Sequence, residues 1–176
     1  MKRIESFAVD HSNLRRGLYV SRKDHVGTEI VTTFDIRMKA PNKEPVLDVP
    51  ALHTLEHLGA TFLRNHPVWA EKTVYFGPMG CRTGCYAIFK GDLRPEDVVP
   101  IMRKMFGFIA RHKGKIPGAS AVECGNYLSQ DLPMARWEAR KYLKEVLNNL
   151  TQKKLVYPPK EPRRIIQINR GQFISL

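Results

Sequence analysis

Residues 48–67 read DVPALHTLEHLGATFLRNHP, and the prolines in this stretch leave little choice of structure between them. Pro50 suits the first turn of a helix, where its missing N–H would have had no partner anyway, and Asp48 is placed to cap that turn. Pro67 disfavours helical geometry at His66, so the spacing predicts a helix ending near Asn65. On such a helix His53 and His57 are i and i+4, so their rings project from one face and can reach a single ion. Glu56 lies on a neighbouring edge of that face. Leu52, Leu55, Leu58 and Phe62 surround the pair, which places the imidazoles at least partly out of water, where uncoordinated ring nitrogens would be costly.

Strands and helices alternate around this helix. TEIVTTFDIRMKA (28–40) is rich in β-branched residues, and VYFG (74–77) and CYAIFKG (85–91) flank the Gly-rich turn PMGCRTG (78–84), which predicts three strands. Apolar periodicity predicts a second helix over roughly 95–112 and a third over roughly 132–154, with Glu138 and Glu145 of the third facing outward beside basic neighbours. Beyond Tyr157 the chain is Pro-rich and then briefly β-prone, the pattern of an appendage. No repeat or low-complexity tract organises the chain.

Size and charge narrow the function classes. At 176 residues one well-buried domain is expected. No window approaches the 18 or so uninterrupted apolar residues of a membrane span, and the N-terminus meets Glu5 and Asp10 before any apolar run, so it lacks a secretory core. A cytoplasmic protein is expected. Cys81, Cys85 and Cys124 are an odd set without an export signal, so free thiols or ligands explain them better than a disulfide framework. The net charge of +12 raises a nucleic-acid hypothesis. Residues 151–176, however, hold six cations against Glu161, five of that net charge, and carry no interleaved aromatic stripe; the rest is dispersed. Nucleic acid is therefore not expected as a partner.

Two histidines need a third ligand, and the chain offers either a downstream acid or Cys124 in ECGNY. The choice separates two chemistries, because H-x-x-E-H is also the motif of inverted zinc metallopeptidases, in which the glutamate is the general base and a distant glutamate completes the site. A second candidate lies in PMGCRTGCY. Gly80 and Gly84 hold Cys81 in a tight turn, and the adjacent Arg82 would favour its thiolate, whereas Cys85 begins a strand and reads as a small core residue.

The ordered motifs ESFAVDH, FDIR followed by PNK, HTLEHL, PMGCRTG and ECG resemble those of the S-ribosylhomocysteine lyases, the LuxS family, over about residues 1–150. VYFG, before PMGC, departs from the family's pattern. The resemblance implies an α+β fold, a single domain with an antiparallel sheet packed on one side by helices. It implies a lyase domain over 1–155, leaving 156–176 as a basic, Pro-rich C-terminal extension. It implies metal ligands at His53, His57 and Cys124, an acid/base pair at Glu56 and Cys81, and substrate contacts at Ser6, His11 and Arg37. The implied reaction cleaves S-ribosylhomocysteine to homocysteine and 4,5-dihydroxy-2,3-pentanedione, precursor of a quorum-sensing signal, by carbonyl migration and β-elimination. One divalent metal per subunit is implied, Fe(II) with Zn(II) or Co(II) as replacements, in a homodimer with active sites at the interface. A metallopeptidase and a non-enzymatic basic nucleic-acid-binding module are the competing readings.

Overall fold

The computed structural model describes residues 9–159. Four strands form one antiparallel sheet in the order β1-β2-β4-β3: β1 Gly17–Val26, β2 Glu29–Arg37, β3 Thr73–Pro78 and β4 Gly84–Lys90. Three helices, α1 Val49–Arg64, α2 Pro95–Arg111 and α3 Leu132–Tyr142, cover one face. Strand alternation sorts the side chains. Leu18, Phe34, Ile36, Cys85, Ala87 and Phe89 point into the core with Leu52, Leu55, Leu58 and Leu63 of α1. Each fully buried leucine contributes roughly 1.5–3 kcal/mol, so the stripe on α1 sets that helix's rotation firmly. A Cβ on Gly59 would lie 2.3 Å from the Phe76 ring, so the glycine lets α1 close onto β3 and fixes where the histidines face.

The opposite face carries Tyr19, Asp35 and Arg37, and these are buried too. The segment after α3 covers part of it. Tyr157 stacks on Tyr19 with ring centroids 4.7 Å apart, and its hydroxyl donates to Asp35 Oδ2 at 2.8 Å. The extension expected from residue 156 thus begins against the sheet, and residues 160–176 lie outside the described residues.

Several local expectations need correction. β1 was not anticipated, because its distal half, SRKDHV, is charged and runs past the core after a bulge between Val20 and Arg22. Asp48 occupies the N-cap of α1, but its side chain makes no capping hydrogen bond. The single helix expected over 132–154 is three pieces: α3, a π-helical turn at Leu143–Leu147 and a 3-10 turn at Gln152–Lys154. Asn148 and Asn149 follow the π turn, a residue type that favours helix ends over helix interiors. Glu138 faces inward: it is 5% exposed and accepts from Lys39 Nζ at 2.6 Å, a buried pair that ties α3 to the chain just after β2.

Candidate metal centre

His53 and His57 bring their Nε2 atoms to 3.0 Å of one another, and Cys124 Sγ lies 3.5 Å from His53 Nε2. All three donor atoms fall within 4.8 Å of each other. The other ring nitrogens are committed. His53 Nδ1 donates to Ser129 O at 2.8 Å and His57 Nδ1 donates to Pro117 O at 2.8 Å, since a carbonyl can only accept. In neutral rings both Nε2 atoms then carry lone pairs, and two lone pairs facing at 3.0 Å repel. A cation between them removes the conflict. Tetrahedral bonding at ordinary zinc distances would set N···N and N···S separations of about 3.3 and 3.6 Å, close to the two that His53 makes, and the trio's full spread of no more than 4.8 Å leaves the donor set able to close on a divalent metal.

Loops far from α1 build this arrangement. Gly118 adopts φ +71, and a Cβ there would sit 3.2 Å from His57 Nδ1, so the Pro117–Gly118 turn is shaped against the ring. Cys124 sits at the end of a turn closed by its own N–H donating to Ser120 O at 2.9 Å, and the Asn126 N–H points at its sulfur at 3.5 Å. Thr54 accepts from the Asp131 N–H at 2.9 Å and donates to Gln130 Oε1 at 2.8 Å, which pins the loop carrying Ser129 to α1. These supporting residues escaped sequence reasoning. The Pro-Gly pair announces a turn, but no local signal says which ring it meets.

Glu56 is half-buried on α1 and is not part of the donor cluster. Burial first, then the nearby Glu56 carboxylate, push the Tyr75 hydroxyl and the Cys85 thiol up, which places Glu56 beside β3 and β4. Cys85 is the fully buried core residue expected.

Cys81, His11 and Arg37 meet elsewhere, in a cavity of about 260 Å³ that Asp35, Tyr86 and Tyr157 also line. Burial raises the Cys81 thiol, but hydrogen bonds from the Thr83 hydroxyl, 3.1 Å away, and the Thr83 N–H, together with the Arg37 charge, outweigh it and hold the thiol below its ordinary value. The expected source of that charge was Arg82; the structure supplies Arg37 instead. Arg37 reaches over from β2, with Nη1 3.9 Å from Cys81 Sγ and 2.5 Å from Thr83 Oγ1. His11 Nδ1 lies 3.0 Å from Val9 O. Ser6 lies outside the described residues.

One chain therefore assembles its expected site residues in two groups. α1 packs on the face bearing Ile36 and Cys85, whereas Arg37 and the Cys81 cavity belong to the opposite face. No hydrogen bond joins the two groups among the described residues.

The model of S-ribosylhomocysteinase (LuxS) matches residues 4–153. The chain belongs to that family. Its relatives include an S-ribosylhomocysteine lyase of Phocaeicola vulgatus, 61% identical over 161 residues, which spans 92% of this chain and all of the relative. S-ribosylhomocysteine lyases of Desulfotalea psychrophila and Clostridium acetobutylicum are each 56% identical over 158 residues, 90% of this chain and 99% of each relative. Membership of the LuxS family removes the metallopeptidase reading of H-x-x-E-H and the reading of the chain as a non-enzymatic nucleic-acid-binding module. It also accords with the four-stranded sheet and three helices. Among the described residues of this LuxS chain, no helix is long and apolar enough to cross a membrane.

Proposed function

We propose that this chain is a carbon-sulfur lyase that converts S-ribosylhomocysteine to homocysteine and 4,5-dihydroxy-2,3-pentanedione. The observation that carries the reading is the His53–His57–Cys124 trio with both Nδ1 atoms committed to carbonyls, in a chain of the LuxS family. The conversion needs no oxidant. The sugar carbonyl moves from C1 to C2 and then to C3 by paired proton transfers. A proton then leaves C4, the C5–S bond breaks with its electrons going to sulfur, and sulfur is protonated as the homocysteine thiol. The remaining enol ketonises to the dione.

When bound by the trio, a divalent ion supplies Lewis acidity toward the sugar oxygens; we assign Fe(II), with Zn(II) or Co(II) as replacements. Cys81, held toward its thiolate by Thr83 and Arg37, takes protons from sugar carbons. Glu56 moves the complementary protons between carbon and oxygen. Ser6, His11 and Arg37 hold the sugar. Because Arg37 and Cys81 lie across the sheet from α1, we infer a homodimer with active sites at the interface, where one chain's cavity meets its partner's trio. We place the enzyme in the cytoplasm, a compartment suited to three free cysteines, and divide the chain into a lyase domain over 1–155 and a C-terminal extension over 156–176.

The test is thiol release from S-ribosylhomocysteine by anaerobically purified protein, together with metal analysis of the same sample. The expected result is homocysteine formation with about one divalent ion per chain. Metal-loaded protein that releases no thiol refutes the reading.

A further inference from the structure

Gln130 immediately precedes Asp131, the N-cap of α3, and its half-buried side-chain amide lies between two residues of α1, His53 and Thr54. Its Nε2 is 3.2 Å from His53 Nδ1 and its Oε1 is 2.8 Å from Thr54 Oγ1. Both contacts fail an inventory of protons. His53 Nδ1 carries the hydrogen it donates to Ser129 O at 2.8 Å, so the Gln130 NH2 faces it donor to donor. The Thr54 hydroxyl has one proton for two acceptors, Pro50 O at 2.9 Å and Gln130 Oε1 at 2.8 Å, while it accepts from the Asp131 N–H at 2.9 Å. At one of those contacts two oxygens therefore meet with no hydrogen between them, beside a threonine that is wholly buried.

One change removes both conflicts. The oxygen and nitrogen of a carboxamide occupy equivalent places and are told apart by their partners. With the amide turned half a revolution about its last C–C bond, Oε1 accepts from the His53 Nδ1–H alongside Ser129 O. At the other end Nε2 donates to Thr54 Oγ1, which reverses that bond and leaves the hydroxyl proton for Pro50 O. Thr54 then donates one hydrogen bond and accepts two, its full capacity. Buried polar groups are nearly always satisfied in this way, and no backbone atom has to move.

We propose that Gln130 is a positioning residue of the metal centre: its amide oxygen is a second acceptor on His53 Nδ1–H, which holds the tautomer whose Nε2 lone pair faces His57 and Cys124. The opposite orientation would do the reverse, since an NH2 donating to Nδ1 requires the ring hydrogen on Nε2, where it blocks the ion. An acceptor on the far nitrogen also makes the ligating nitrogen more basic, and such partners contribute roughly 10- to 100-fold to metal affinity. Ser129 O remains on the same N–H whatever stands at 130, so the lower end of that range belongs to Gln130. The proposal rests on the reading of His53, His57 and Cys124 as metal ligands.

The test compares Gln130→Met and Gln130→Glu with the wild-type chain, each titrated with Zn(II) against a chelator of known affinity. Methionine keeps the length of the side chain and removes the acceptor, so zinc should be held roughly tenfold more weakly. Glutamate keeps an acceptor toward Nδ1–H, so zinc should be held at least as tightly as by the wild type, a rescue that a side chain serving only to pack the loop would not show. Zinc held by Gln130→Met as tightly as by the wild type, or more tightly, overturns the proposal, and so does a Gln130→Glu affinity as low as that of Gln130→Met. The orientation itself is read in zinc-loaded wild-type protein from nuclear Overhauser contacts, a measurement that stands even if both variants unfold. The Gln130 NH2 protons should lie nearest the Thr54 side chain; stronger contacts to the His53 Nδ1–H are equally fatal. Wild-type protein that binds no divalent ion defeats the metal reading together with this proposal, whereas a wild type that binds zinc no better than Gln130→Met defeats this proposal alone.

Discussion

Replacing Thr83 with valine tests how the reactive thiol is built, because it removes one hydroxyl and almost no volume. That hydroxyl has two partners: Cys81 Sγ at 3.1 Å and Arg37 Nη1 at 2.5 Å. Two effects follow. First, Arg37 is 3% exposed, so its Nη1 loses a partner where water cannot easily replace it. A buried donor left unpaired costs about 1–3 kcal/mol, and a central value of ~2 kcal/mol in a chain of this size lowers Tm by roughly 4–8 °C. Second, Cys81 loses the largest of the interactions that lower its pKa, since burial, the leading influence, acts the other way. The sign is definite. A thiol held below its ordinary value is alkylated well at lower pH than a free cysteine, so Thr83→Val should move the pH profile of iodoacetamide labelling at Cys81 upward, with Cys85 shielded by burial. The same depressed pKa contributes stability above the ordinary thiol range that is lost as pH falls through the folded value, so the variant's stability deficit should be larger at alkaline pH than near neutrality. Labelling profiles that superimpose for the two proteins would refute the role of the Thr83 hydroxyl in lowering the Cys81 pKa, and an unchanged Tm would refute its role as the partner Arg37 needs.

The metal shell and the proton carriers are separable by substitution. Cobalt-substituted protein should show a thiolate-to-metal charge-transfer band that disappears in Cys124→Ala; a surviving band removes Cys124 from the ligand set. Glu56→Gln and Cys81→Ser should keep about one metal per chain and still bind substrate, yet release homocysteine at least roughly a hundredfold more slowly. Loss of metal from either, measured by metal analysis, would reassign that residue to the ligands. Truncation after Pro159 should leave homocysteine release within a few-fold of the full chain; a larger loss would give residues 160–176 a part in turnover.

The sequence by itself determined the parts of this protein that depend on neighbours in the chain. The helix between Pro50 and Pro67 and the common face of His53 and His57 follow from a 3.6-residue period and from proline geometry, and both stand in the structure. Motif order likewise identified the family. Tertiary structure decided whatever depends on residues brought together from afar. Cys124 comes within reach of His53 across 71 residues, and the carbonyls that orient the two rings come from Ser129 and Pro117, 76 and 60 residues from their partners. A backbone carbonyl has no residue type, so no sequence pattern can announce it. Arg82 is adjacent to Cys81 in the chain, yet the charge that acts on the thiol comes from Arg37 on a different strand, because strand pairing sets β2 beside β4. Glu138 reads as a surface residue among basic neighbours until Lys39 arrives from the end of β2 and makes its burial tolerable. The charged half of β1 hides a strand because its hydrogen bonds, rather than its side chains, hold it to β2.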